Sequence, residues 1–253
     1  ALFRRVSRWW LLRQERNHAT GKLQRGNEGS ERRKAHMDNT CKAVLFDLDG
    51  TLIDTYQLIL ESFRHATRKV LGRVIPDEQL MVKVGQPLST QIWDWTDNQE
   101  VHDEILTVYR EFNHAVHDDM VSTFSGVPQI LSDLRDQGVR MGVVTSKLHW
   151  LAQRGLDRTG LADYMETLVS LDDYPQAHKP APGPVLYGCE LLGVDPQECW
   201  YVGDSPFDIA AGNAAGCKTA AVLWGMFPEE TLREQKPTAC CATPNDLIQE
   251  LCV

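Results

Sequence analysis

Residues 44–54 read VLFDLDGTLID, so two carboxylates one residue apart, Asp47 and Asp49, close an apolar run. A buried carboxylate without a partner is costly, and two side by side also repel. Such a pair persists where a cation sits among the acids, and hard oxygen ligands suit Mg2+. Three other places supply groups of matching chemistry: Thr145-Ser146, Lys179, and the run Gly203-Asp204-Ser205-Pro206-Phe207-Asp208. Asp47, Asp49, Asp204 and Asp208 are the candidate metal ligands. Asp47 is the candidate nucleophile, Asp49 the candidate general acid and base, and Thr145, Ser146 and Lys179 the candidate holders of non-bridging phosphate oxygens. Taken singly each has an ordinary explanation: an Asx turn, a loop, a solvated lysine. Their order along the chain is what favours chemistry.

That order becomes meaningful once the elements are placed. Short apolar strands are expected at residues 42–47, 139–145, 199–204 and 217–223, with a shorter one at 165–170. Helices are expected at Pro128–Gln137, His149–Thr159, Pro184–Leu192 and Phe207–Ala214. Alternation of buried strands with helices implies an α/β fold with a Rossmann-like parallel sheet covered on both faces. In such sheets ligands bind beyond the carboxyl ends of the strands, which is where the candidate groups fall. Residues 55–125 break the rhythm, with no convincing strand and successive amphipathic helices. In Val101–His117, Ile105, Val108, Tyr109, Phe112 and Val116 make one apolar stripe. The expected organisation is therefore a core of residues 41–54 and 126–253 with a small α-helical cap at 55–125.

Composition narrows the partners. Residues 1–37 carry a net charge of +7, and with the whole chain at −9 the remainder stands at −16. A body so acidic repels a phosphate backbone, so nucleic acid is not an expected partner, and no apolar run has the length of a membrane span. Seven cysteines at irregular spacing, without a C-x-x-C pair, read as free thiols in a reducing, cytoplasmic setting. Residues 1–40 have the composition of a disordered extension, with Met37 as the expected start and a targeting peptide as the lesser alternative.

The four motifs Asp47-Leu-Asp49-Gly-Thr51, Thr145, Lys179 and Gly203-Asp204-x-x-x-Asp208 resemble those of the haloacid dehalogenase-like superfamily of phosphohydrolases. The resemblance spans residues 41–252. It implies a small helical cap after the first motif and Mg2+-dependent catalysis through an aspartyl-phosphate. Asp49 points to phosphate rather than halide chemistry, because the true dehalogenases of that superfamily lack it. Within the superfamily the chain is most similar to the phosphoglycolate-phosphatase-like group, and there to bacterial inorganic pyrophosphatases. The stretches 84–88, 109–118 and 170–185 carry that narrower likeness, while Ser146, Ser205 and Gln86 depart from its pattern. The implied substrate is pyrophosphate, with phosphoglycolate or another small phosphate ester as the alternative. A sugar-phosphate mutase and a non-catalytic phosphate-binding protein rank lower.

Specificity would come from the cap. Arg110, His114 and His117 share the helix face opposite the apolar stripe and are the candidate contacts to the far end of a small dianion, or else a solvated face. His114 and His117 have a zinc-ligand spacing with no further ligand nearby. Lys83 and Gln86 are weaker candidates, and Trp93 and Trp95 read as packing. Oligomeric state is open.

Overall fold

The computed structural model describes residues 41–251, so the expectations for residues 1–40 lie outside the described residues. Six strands form one parallel sheet: β1 (Ala43–Phe46), β4 (Arg140–Val144), β5 (Thr167–Val169), β6 (Cys199–Gly203), β7 (Lys218–Val222) and β8 (Ala239–Cys241). Their spatial order is β5-β4-β1-β6-β7-β8, with Val44 beside Met141 on one side and Trp200 on the other. The chain lays down β1, β4 and β5 outward in one direction, then crosses back over to place β6, β7 and β8 on the other. β1 therefore stands at the reversal of strand order, the place where open α/β sheets form a crevice.

Side chains alternate along β1, and the two faces have separate cores. Val44 and Phe46 join Leu131 and Leu134 of α5 (Val127–Asp136), Ala152 and Leu156 of α6 (His149–Thr159), and Leu247 of α10 (Pro244–Leu251). Ala43 and Leu45 join Val185 and Cys189 of α7 (Gly183–Leu191) and Ala211 and Ala215 of α8 (Pro206–Ala215). Burial on both faces explains why the strands read as unbroken apolar runs instead of alternating ones. The sequence-based boundaries agree with these elements to within a residue or two. It does not anticipate β8, the short helix α9 (Glu229–Glu234) or α10, whose segments are brief and mixed in character.

Between β1 and β4 the chain makes a helical insertion: α1 (Tyr56–Leu71), α2 (Asp77–Met81), α3 (Leu88–Ile92) and α4 (Gln99–Met120). It has its own core, in which Phe63, Leu80, Ile92 and Ile105 are buried. Two short strands, β2 (Ile53–Asp54) and β3 (Ser122–Thr123), pair antiparallel where the insertion leaves and rejoins the sheet. β3 is a departure from the expectation of no strand in residues 55–125. Two residues held by one ladder carry too little pattern to be seen in sequence.

The buried face of α4 is also rotated from the expected stripe. Ile105, Val108 and Tyr109 are buried as expected, but the stripe continues through Asn113 and His117, not Phe112 and Val116. Asn113 is drawn inward because its amide donates to Ser62 Oγ on α1 at 3.1 Å. Phe112 stays half-buried and stacks on the His65 ring at 4.6 Å. Among the described residues no helix is long and apolar enough to cross a membrane.

The position of β1 makes its packing a sensitive test of this architecture. Leu45 is fully buried at the centre of the sheet. Leu45→Ala should cost about 2–5 kcal/mol of unfolding free energy, measured by urea denaturation, with the slope unchanged.

Candidate active site

Three strand ends meet at the crevice. Asp47 follows β1 directly, and its N–H donates to Val202 O at 2.8 Å, so its backbone is still held by the sheet. Thr145 follows β4 and Asp204 follows β6. Ser205 caps the N-terminus of α8 by accepting from Asp208 N, with Pro206 in the first turn, and Asp208 returns the bond to Ser205 N at 3.1 Å. The same residues that begin the helix thus fix Asp208 inward. Its Oδ2 accepts from Ser205 N and Oγ, while its Oδ1 lies 2.6 Å from Lys179 Nζ and 3.1 Å from Tyr201 Oη.

Lys179 joins the acids. Its ammonium is 2.6 Å from both Asp47 Oδ1 and Asp208 Oδ1, and its side chain is only 2 % exposed. Asp204 accepts from Thr51 Oγ1 at 3.1 Å and from Met226 N at 2.6 Å. Two glycines make room for it: a Cβ on Gly50 would fall 2.3 Å from Asp204 Oδ2, and one on Gly225 would fall 2.0 Å from Asp204 Cβ. Gly50 also has φ +88, so the turn after Asp49 favours glycine twice over.

Carboxylate oxygens of Asp47, Asp204 and Asp208 lie within 4.8 Å of one another, and all three residues are buried. One lysine cannot balance them. Burial, then the charges of Asp208 and Asp49, push the Asp47 carboxyl up to about 7 despite the opposing Lys179. Burial and the Asp47 and Asp208 charges likewise hold Asp204 well above the usual carboxylate range. Burial works against the Lys179 charge, but Asp208 and Asp47 overcome it and hold its pKa well above the ordinary value. A buried, oxygen-only donor set short of positive charge fits a hard divalent cation.

The expected residues do not all converge. Asp49 is absent from the three-carboxylate cluster, and its Oδ1 instead pairs with Lys147 Nζ at 2.7 Å. Its carboxylate thus lies outside the three-acid group while still lining the same cavity as Asp47 and acting on that carboxyl. Lys147 was not among the candidates; its signal in sequence is a second lysine two residues beyond Thr145, on the same strand-end loop. Ser146 Oγ donates to Gly85 O of the insertion at 2.7 Å, which ties the loop of residues 83–87 to the sheet.

A cavity of about 130 Å³ lies between sheet and insertion, lined by Asp47, Asp49, Thr145, Ser146 and Lys147 from below and by Gln86, Gln91, Arg110, Asn113 and His114 from above. Arg110 and His114 therefore face the acids. His114 sits edge-on to the Trp150 ring at 4.6 Å, and burial and the neighbouring Arg110 lower its pKa. His117 does not line this cavity. It is fully buried, bonds Asp118 at 2.8 Å, and packs over Gly155, where a Cβ would meet its ring at 3.9 Å. One helical turn separates it from His114, and the rotated buried face of α4 turns it toward α6. The two histidines accordingly do not form a zinc pair; neither belongs to a metal-sized cluster among the described residues. Lys83 pairs with Asp94 at 2.5 Å.

The sequence profile of haloacid dehalogenase-like hydrolases matches residues 44–222, which contain all four motifs. The chain belongs to this family. It is 40 % identical over 207 residues, 82 % of this chain and 95 % of the relative, to a Clostridium perfringens protein provisionally assigned as the pyrophosphatase PpaX. The pyrophosphatase PpaX of Bacillus velezensis is 37 % identical over 83 % of this chain and 96 % of its own. A crystal structure described as a predicted phosphoglycolate phosphatase from Haemophilus somnus superposes with a TM-score of 0.77 at 24 % identity, covering 85 % of this chain and 99 % of that one. That last likeness concerns the fold. Haloacid dehalogenase-like hydrolases generally use Mg2+.

The raised Asp47 carboxyl makes a signed prediction for the cation-free hydrolase. Its folded pKa exceeds the ordinary value of 3.8, so the stability it contributes is full below that value and is lost as pH rises toward about 7. A bound cation competes with that proton. The melting temperature without divalent cation should fall across this interval, and the increment produced by Mg2+ should grow with pH. In Asp47→Asn both trends should shrink.

Proposed function

We propose that this chain is a Mg2+-dependent phosphohydrolase acting through an aspartyl-phosphate on a small phosphorylated substrate, with inorganic pyrophosphate as the preferred one. The observation that carries this reading is Asp47 at the end of the central strand, with its Oδ1 held by Lys179 and its other oxygen making no hydrogen bond to protein among the described residues. In the proposed step that second oxygen attacks phosphorus in line, the bond to the leaving oxygen breaks, and Asp49 delivers the proton the leaving group needs. Asp49 then takes a proton from the water that hydrolyses the aspartyl-phosphate. Lys179 and Thr145, with the Ser146 loop, hold the non-bridging oxygens.

Asp47 and Asp204, with Asp208 completing the cluster, would hold Mg2+, which when bound supplies the positive charge that lets a phosphate approach these acids. Asp208 has a second task, since its bonds to Lys179, Tyr201 and Ser205 keep the lysine aimed at Asp47. In this reading residues 55–125 act as a cap over a core of residues 41–54 and 126–253, and Lys147, Arg110 and His114 receive the distal anionic group. Pyrophosphate is supported by the names of relatives that share more than a third of this sequence across four-fifths of its length. The free thiols agree with a cytoplasmic setting.

A second reading, an organic phosphate ester, has one specific observation in its favour. Asn113 Oδ1 and Gln91 Oε1 are buried without a partner on residues that line the cavity. Their orientations are determined, because Asn113 Nδ2 donates to Ser62 Oγ, whose own proton goes to Leu58 O, and Gln91 Nε2 donates to Gln86 O. Two orphan acceptors suit a ligand with hydroxyl donors, and fully ionised pyrophosphate has none.

Phosphate release with Mg2+ from pyrophosphate, phosphoglycolate, sugar phosphates and nucleotides separates the readings. The largest kcat/KM is expected for pyrophosphate, and a larger value for a hydroxylated ester would transfer the assignment to the second reading. Asp47→Asn should leave no measurable turnover with an unchanged circular dichroism spectrum, and a still-active variant would refute the aspartyl-phosphate. Asp49→Asn should lower kcat by about 10²–10⁴-fold. Lys147→Met should raise KM for pyrophosphate.

A further inference from the structure

The opposite edge of the sheet carries a second cluster of reactive side chains. Cys199 opens β6, Cys217 stands one residue before β7, and Cys189 lies on α7. Their spacing in sequence is unlike any metal or redox motif, yet three separate elements bring their sulfurs within 4.8 Å of one another. Cys189 and Cys217 are 3.9 Å apart. β6 runs between this cluster and Asp204, so five residues of strand, roughly 16 Å, separate it from the acids.

Geometry distinguishes what such a cluster can hold. Thiolates bound to one Zn2+ at about 2.3 Å stand roughly 3.8–4.0 Å apart in tetrahedral or trigonal arrangement. A disulfide needs about 2.0 Å, so closing one between Cys189 and Cys217 would draw the sulfurs nearly 2 Å together, whereas a metal asks for almost no movement there. The three cysteines share one buried apolar cluster with Ala43, Val185, Leu192 and Ala215, and the Asp195 carboxylate is near enough to act on Cys189 and Cys217. Among the described residues these thiols hydrogen-bond to one another, and Cys199 Sγ also donates to Trp200 O at 3.4 Å. Hydrogen bonds from Cys199 and Cys217 lower the pKa of the Cys189 thiol, while hydrogen bonding to Cys189 and burial raise those of Cys199 and Cys217, so a single thiolate is held between two thiols. With exposures of 1 %, 0 % and 8 %, thiolates formed here on metal binding would need charge compensation, and a divalent ion leaves a smaller residual charge than a monovalent one.

We propose that Cys189, Cys199 and Cys217 form a binding site for one thiophilic divalent ion of the Zn2+ class, separate from the carboxylate site. Binding releases the thiol protons to solvent and ties the starts of β6 and β7 to α7. The site takes a borderline-soft metal, while the acids take a hard one, so the two sites select different ions by donor atom alone.

Cd2+ tests this on the full, reduced chain with Mg2+ in excess, because cadmium bound to thiolates gives a near-ultraviolet charge-transfer band that carboxylates do not. The expected result is one equivalent of Cd2+ producing the band, lost in Cys189→Ser, Cys199→Ser and Cys217→Ser and kept when Cys41, Cys240, Cys241 and Cys252 are replaced. A band that is absent, that survives in the three cluster variants, or that disappears with the other four cysteines would overturn the assignment. Wild-type protein gives a second measurement free of folding effects. Zn2+ at a hundred times its Kd should slow alkylation of these three thiols about a hundredfold, read by peptide mass spectrometry. Unchanged alkylation would also refute the site.

Discussion

Three carboxylates crowded into a buried space around a single ammonium set the terms for this molecule. Asp47, Asp204 and Asp208 are each almost wholly removed from water, and Lys179 bridges only two of them. Desolvation and the neighbouring carboxylates push the Asp47 and Asp204 carboxyls above their ordinary values. A fold can hold such a group only if every surrounding contact opposes its dispersal. Here the contacts are supplied by backbone and short side chains: Met226 N and Thr51 for Asp204, and the helix cap of Ser205 for Asp208. The deficit of positive charge is what suits the site to a hard cation.

The sheet makes this arrangement affordable in space. A parallel sheet with β1 at the reversal of strand order brings the loops after β1, β4 and β6 side by side, and both faces are sealed by helices. The acids therefore sit at a water-poor rim on rigid strand ends. Gly50 and Gly225 complete the fit, since a side chain at either would collide with Asp204. Rigidity here has a function: phosphoryl transfer depends on aligned groups and compensated charge more than on flexible chemistry.

The insertion answers a different need. Its loop of residues 83–87 touches Ser146, and a Cβ on Gly85 would approach Ser205 Oγ at 2.9 Å, so the loop rests on two of the strand-end segments. α4 brings Arg110 and His114 over the acids, and Lys147 meets Asp49 beneath them. The cavity consequently has the Arg110 guanidinium on its outer wall and carboxylates at its floor.

The sequence by itself determined the parallel α/β core, the strand ends that bear Asp47, Thr145 and Asp204, and the inserted helices. These are legible because buried strands are unbroken apolar runs and because chemistry in such sheets gathers at their carboxyl ends. Tertiary structure alone decided which polar residues look inward. Asp49 pairs with Lys147, a partner 98 positions away, and no local pattern announces that bond. His117 reads as a polar neighbour of His114, but the Ser62–Asn113 bond and the space over Gly155 belong to other helices, and they rotate the buried face of α4 by about one position. The cysteine cluster is hidden for the same reason: its members are spaced by whole elements, and only the packing of α7 on the sheet brings their sulfurs together. Periodicity reports which face of an element is apolar; it is silent about which distant partner a polar side chain will find.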